Sequence, residues 1–275
     1  MVPDAFMLAP WILATLLGLV VGSFLNVVIH RLPLMLEREW QAANESLEET
    51  NPNFNLAVPA SHCPHCAHPL RWHDNIPLLS YVALRGRCRH CQATISWQYP
   101  VIELVTALLF AWSVNRYGLT GQALAWAGFA TALLALAVID ARTTLLPDAL
   151  TQPLTWAGLL AAALGLSDVT LPDALWGAVG GYLFLWCVYW LFRLVTGLEG
   201  MGQGDFKLLA ALGAWFGWQT LISLVMIASL SGLVIGLWLK WRQSLSAGGY
   251  IPFGPFLALA GAIQMVWGTP AWLSW

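Results

Sequence analysis

The chain has 275 residues, of which 59% are hydrophobic and only 9% are charged. Soluble domains carry about 25% charged residues, so an ordinary soluble enzyme is excluded, and the same hydrophobicity excludes a disordered chain. The formal net charge is only −2, and no nucleic-acid partner is expected.

A membrane helix needs ~20 mostly apolar residues to cross ~30 Å of hydrocarbon. Leu8–Ile29 meets this without a charge; because Asp4 and no Lys or Arg precede it, it reads as a retained anchor rather than a cleaved signal. Arg31–Gln98 follows as a polar insert; thirteen charged residues lie between Arg31 and Glu103. Its first part, Glu37–Asn55, carries Glu37, Glu39, Glu45, Glu48 and Glu49 and reads as a solvated loop or short helix. Further apolar segments are Tyr99–Val114, Gly121–Ile139, Ala149–Leu166, Ala174–Phe192, Leu221–Leu239 and Ile251–Trp272. Phe206–Phe216 is apolar but too short for an ordinary span; it either dips partway, continues through Gly217–Thr220, or sits inside the bundle. The expected fold is an all-α polytopic membrane protein of about eight transmembrane segments with a small cytoplasmic insert. The expected organisation is a first transmembrane helix (1–30), the insert (31–98) and a membrane-embedded domain (99–275). No internal repeat is evident.

With the N-terminus outside, alternation of the spans puts all Lys and Arg residues except Arg116 on the inner side, which obeys the positive-inside rule at Arg142, Arg193, Lys207, Lys240 and Arg242. Both termini are then outside. Trp11, Trp218, Trp241 and Trp272 near the span ends suit interfacial anchoring.

The insert contains Cys63-Pro-His-Cys66 and Cys88-Arg-His-Cys91. Two such knuckles bring four thiolates to one tetrahedron, the geometry of a closed structural zinc site. Disulfides are disfavoured on the reducing side of a membrane, and two paired motifs argue against a single redox dithiol. His62, His65, His68 and His90 are possible substitute ligands. A domain this small draws its folding energy from the metal. Cys187, alone in an apolar span, reads as a small buried hydrophobe.

Ionisable groups at membrane depth are costly and are functional candidates. Asp140 ends the apolar run Thr131–Ile139, and Asp205 stands in Gly202-Gln-Gly204-Asp205-Phe-Lys207. Both fall at inner span ends, where one bundle could bring them face to face. Two carboxylates sharing a site retain one proton between them, so one serves as general base while the other hydrogen-bonds a carbonyl. Gly202 and Gly204 leave room for a sharp turn and for an extended peptide. The alternative is that each Asp marks where a helix leaves the lipid, which is the reading adopted for Asp148, Asp168 and Asp173. A phosphate-binding loop is discounted, since no strand precedes the glycines.

These motifs resemble the type IV prepilin peptidases, membrane aspartic proteases of the GxGD class. The resemblance covers nearly the whole chain: Gly22-Ser-Phe-Leu-Asn26 through His30-Arg31-Leu-Pro33, the paired cysteines, Asn75-Ile-Pro77, Leu84-Arg85-Gly86, Tyr99-Pro100 with Glu103, Asp140 with Pro147-Asp148, and Gly202-x-Gly204-Asp205-x-Lys207. It implies a bacterial inner-membrane enzyme with Asp140 and Asp205 as catalytic pair, supported by Gly202, Gly204 and Lys207, and with Asp148 a neighbour. Its implied substrates are prepilins or pseudopilins, cut at the cytoplasmic face after the glycine ending a short basic leader. The complete four-cysteine insert implies a second activity, N-methylation of the new N-terminus with S-adenosylmethionine. No residues are assigned to the methyl donor, because no Rossmann fingerprint is present. Asn26, His30, Arg85 and Glu103 are candidates for holding the insert or touching substrate; they read equally well as polar residues satisfied between helices. Two other readings remain: a proton-coupled transporter using the same carboxylates, and a zinc-bearing membrane scaffold without chemistry.

Overall fold

A computed structural model describes residues 4–45, 54–198, 200–242 and 251–268. Among them the regular structure is helical: α1 (Asp4–Glu45), α2 (Leu79–Ala83), α3 (Gln98–Tyr117), α4 (Gly121–Thr143), α5 (Asp148–Ala163), α6 (Leu171–Thr196), α7 (Gln203–Phe216), α8 (Leu221–Trp241) and α9 (Gly254–Trp267). Every helix but the five-residue α2 falls on an expected apolar segment. The exception to the expected boundaries is α1. It runs through Glu45 and absorbs much of the acidic stretch that the sequence suggested as a loop or short helix. Glu48, Glu49 and Trp272 lie outside the described residues.

Among the described residues, four stretches are long and apolar enough to cross a membrane: Ala9–Ala43, Gly121–Thr143, Leu171–Thr196 and Trp218–Trp241. The helix ends are written in the sequence. Thr170 caps α6, accepting the Asp173 N–H at 3.3 Å, with Pro172 in the first turn. Gly197 ends the same helix in the left-handed region at φ 72°, where a side chain would be strained, and its N–H returns to the Arg193 carbonyl.

The chain divides into two compact units within α4, at Thr131 and Ala132. In the first, α1 packs on α3. Gly18 and Gly22 are four residues apart and share a helix face. A Cβ on either would come 2.6 Å from the Ala107 Cα or 2.7 Å from the Glu103 Cα, so the two backbones approach through glycine. This small-residue packing holds helices together where lipid provides no hydrophobic drive between them. The insert is tied back to both helices. The buried Arg31 guanidinium donates to the carbonyls of Asn55 (3.0 Å), Leu56 (3.3 Å) and Pro59 (2.7 Å). Asn26 Nδ2 donates to the Tyr99 carbonyl at 3.1 Å, and Glu103 Oε2 accepts the Leu78 N–H at 2.8 Å. Asn26 and Glu103 are thus engaged between helices and insert, whereas His30 and Arg85 are exposed.

In the second unit α7 is the centre, packed against α5, α6 and α9, while α8 packs on α9. Leu208, Leu209, Ala211, Leu212 and Ala214 have no exposed surface. At 1.5 Å per residue the 14 residues of α7 span roughly 21 Å, short of the ~30 Å of hydrocarbon. The short segment therefore sits inside the bundle. Gly177 of α6 meets Gly213 of α7 backbone to backbone, and Gly181 faces the Leu209 carbonyl. Trp215 Nε1 donates to the Leu154 carbonyl of α5 at 2.9 Å. Beyond the end of α7, Asp173 accepts from Thr170 (2.6 Å), Trp218 (3.0 Å) and Gln219 (3.1 Å), the helix-end role expected of it. Cys187 corrects its sequence reading: it is exposed, on a helix with few buried residues, because among the described residues nothing covers the outer face of α6.

Candidate metal centre and candidate active site

The four insert cysteines come together, with their sulfurs all within 4.8 Å of one another and no disulfide between them. Each knuckle is built in the same way. The Cys63 N–H bonds to the His68 carbonyl (3.0 Å), and the Cys88 N–H to the Ala93 carbonyl (2.9 Å). Ala67 and Gln92, each following a second cysteine, are left-handed at φ 54° and 57°; their N–H groups return to the Cys63 and Cys88 carbonyls. Isolated bridges, His62 to Pro69 and Arg87 to Thr94, close the two loops. The knuckles are thus a short structural duplication at an offset of 25 residues, which the sequence reading missed. The His90 N–H reaches the Cys88 sulfur at 3.4 Å, a contact that favours the thiolate a metal needs.

The donor set fits a metal. Four thiolates at Zn–S ≈ 2.3 Å on a tetrahedron stand ~3.8 Å apart, and Cys63 Sγ lies 3.8 Å from Cys91 Sγ. The grouping consists of cysteines alone, so the neighbouring histidines surround the site rather than complete it. The His68 and His90 rings instead meet edge to face at 4.0 Å. Outside the cluster, Asp74 accepts from Arg89 Nε (2.9 Å), and that guanidinium holds its carboxyl below the usual carboxylate range. The contact ties the second knuckle to the 3₁₀ turn at Trp72–Asn75.

The second unit brings Asp140 and Asp205 together. Asp140 lies in the last turn of α4 and Asp205 in the first turn of α7; each is 4% exposed. Their surroundings meet at Leu146, which lies against Gly204, the residue before Asp205, and against Gly254, which faces the Asp140 carboxylate. Gly202 starts α7 in extended conformation (φ −75°, ψ 144°), and its carbonyl accepts the Asp205 N–H at 3.2 Å. Gly204, one residue before Asp205, faces the side chain of Leu146. Asp140 is reached by the backbone of Gly254, the first residue of α9, while its Oδ2 is buried without a hydrogen-bond partner among the described residues.

Residues 16–117 match the Bacterial Peptidase A24 N-terminal domain, and residues 127–237 match the Type IV leader peptidase family. The chain belongs to the type IV leader peptidase family. It is 51% identical to the "Prepilin leader peptidase/N-methyltransferase" of Burkholderia pseudomallei (strain 1026b), over 94% of this chain and 86% of that protein. Identity to the protein of that name from Stutzerimonas stutzeri is 51%, over 97% and 92% of the two chains. To the Aeromonas hydrophila protein it is 52%, over 94% and 92%. No solved structure matches.

As a leader peptidase family member, the chain assembles most of what its sequence singled out and places one residue elsewhere. Lys207 Nζ does not turn to the buried aspartates; it pairs with Asp148 (2.5 and 2.8 Å), linking the starts of α5 and α7 at the surface. Asp148 is 53% exposed, in keeping with its reading as a helix-end residue. Sequence reasoning missed Gly254. A Cβ there would fall 2.5 Å from Asp140 Oδ2, so only glycine lets α9 come this close to the carboxylate. The available signal was a glycine between Phe253 and Pro255, just after Pro252 and ahead of an apolar run.

Proposed function

We propose that the chain is a bifunctional leader peptidase and N-methyltransferase of prepilins and pseudopilins, with Asp140 and Asp205 as the catalytic pair. The two buried carboxylates, set around Gly204, Gly254 and Leu146, carry this reading, and membership of the family supports it. Two such groups share one proton. The ionised carboxylate takes a proton from water as its oxygen bonds to the scissile carbonyl carbon. The protonated one donates to the carbonyl oxygen. Collapse of the tetrahedral intermediate breaks the C–N bond, and a proton passes to the departing amine. Gly202 and Gly204 support the motif by shaping the start of α7, and Lys207 does so by fixing that start to α5. For the second activity S-adenosylmethionine would supply the methyl group and leave as S-adenosylhomocysteine, and the freed N-terminal amine would lose one proton as it gains that methyl.

Cys63, Cys66, Cys88 and Cys91 hold one structural zinc in this reading. The protein sits in the bacterial inner membrane with about eight segments and both termini periplasmic; the first segment (1–30) continues as helix into a cytoplasmic insert (31–98), and 99–275 is the membrane-embedded domain. A basic leader stays on the inner side while the apolar pilin helix lies in lipid. No observation favours the transporter reading. The test mixes purified protein with a prepilin in detergent and follows leader release on a gel. Asp140→Asn and Asp205→Asn should each lower the rate by at least ~10³-fold. Wild type that does not cleave, or variants that cleave as well as wild type, would refute the assignment.

A further inference from the structure

Asp140 and Asp205 are each 4% exposed, so an extended peptide reaches them only if something moves. The side chain over the gap is identified by the two glycines beside the carboxylates. A Cβ on Gly204 would fall 2.6 Å from Leu146 Cβ and 3.3 Å from its Cδ1. A Cβ on Gly254 would fall 3.2 Å from that same Cδ1 and 2.5 Å from Asp140 Oδ2. One leucine therefore lies across both glycines, and the second of them faces a buried Asp140 oxygen that has no hydrogen-bond partner among the described residues. Leu146 itself is only partly buried, and it belongs to the four-residue link between α4 and α5. That link carries a non-glycine residue in the left-handed region, Thr144 at φ 54°.

We propose that Leu146 occupies the place of the substrate backbone, and that the slot it plugs between Gly204 and Gly254 limits the size of the residue before the scissile bond. The inference rests on the leader-peptidase reading. A slot walled by two glycines has depth for a main chain and none for a large side chain. A leucine filling it between turnovers keeps water from the carboxylates, and an incoming peptide that pushes it aside brings its own backbone to the same two acids. The displaced leucine stays beside the slot, so its bulk still narrows the space offered to the substrate.

The experiment uses the full chain in detergent and two prepilins that differ only in the residue before the cut, glycine or alanine. The ratio of kcat/KM for the two is the readout, because a merely structural role would lower both values together. Leu146→Ala should narrow the glycine preference by about 10-fold or more, and Leu146→Met, which keeps the reach, should retain it. Leu146→Val is read by the same ratio if Leu146→Ala cannot be purified: narrowing supports the plug, and an unchanged ratio overturns it. Equal narrowing in Leu146→Ala and Leu146→Met also overturns it. Wild type that cleaves neither prepilin overturns the leader-peptidase reading and this inference with it, an outcome distinct from an unchanged ratio in an active enzyme.

Discussion

Replacing Gly254 with alanine adds one methyl group where the structure has an Asp140 oxygen. The new Cβ would stand 2.5 Å from Oδ2 and 3.0 Å from Cγ, whereas ordinary contact begins at 3.4 Å. Relief requires a displacement of roughly 0.9 Å, taken up by the carboxylate, by the start of α9, or by both. The start of α9 is buried and α9 packs on α7 and α8, so the carboxylate yields more easily. A misplacement near 1 Å at a reacting group costs ~10²-fold in rate, and that is the expected fall in kcat, with KM changed far less. Gly128→Ala is the control. It lies in the same helix as Asp140 but has nothing within 4 Å of its new methyl, so its rate should match wild type. Leader release on a gel gives the rates, and thermal melting in detergent shows whether each protein is folded. A folded Gly254→Ala enzyme cleaving within about 2-fold of wild type would refute the claim that α9 positions Asp140.

Two further outcomes follow from the geometry. Cys88→Ser should lower the metal content from about one zinc per chain to almost none and leave Cys63, Cys66 and Cys91 open to thiol reagents; undiminished zinc by elemental analysis would exclude the four-thiol site. The exposed Asp148–Lys207 pair should matter modestly, about 0.2–1 kcal/mol, so Lys207→Asp lowers the melting temperature slightly and adding Asp148→Lys restores it. A loss in the single variant that the exchange does not repair would mean that Lys207 acts on something other than Asp148.

Much of this architecture is legible from hydropathy, because an apolar run long enough for a span must become a helix whatever its neighbours do. The expected Ala149–Leu166 and the observed α5 at Asp148–Ala163 differ by one residue at one end and three at the other. The cysteine spacing was equally readable, since each knuckle closes locally. The continuation of α1 to Glu45 was not: beyond Ile29 the apolar run gives way, and what remains is helix propensity in Glu37-Arg-Glu and Gln41-Ala-Ala. The duplication of the knuckles was hidden because only Cys63/Cys88, His65/His90 and Cys66/Cys91 keep their identity across it. Gly254 and Leu146 were invisible for a different reason. Each looks like an ordinary helix-start or link residue, and its importance lies in a contact with an element far away in sequence. The resemblance sets Lys207 in the motif of Asp205, yet side chains two apart on a helix point to different faces, and its partner lies 59 residues earlier.

The buried carboxylates are positioned less by hydrogen bonds than by the absence of side chains. In lipid, helices gain nothing from hydrophobic exclusion between them, so fixed positions depend on close van der Waals contact. Along α7 that contact is made at Gly213 against Gly177 and at Leu209 against Gly181, and Gly158 of α5 accepts the ring of Trp215. These contacts leave α7 no slack, and Asp205 in its first turn inherits their precision. Asp140 is fixed in the same manner from the other side, by α9 approaching through Gly254. A helix of roughly 21 Å is too short to serve as a membrane wall, but its burial on all sides suits it to carry an acid to one defined point. Burial of two carboxylates is costly, and a single proton held between the pair lowers that cost by leaving one of them neutral.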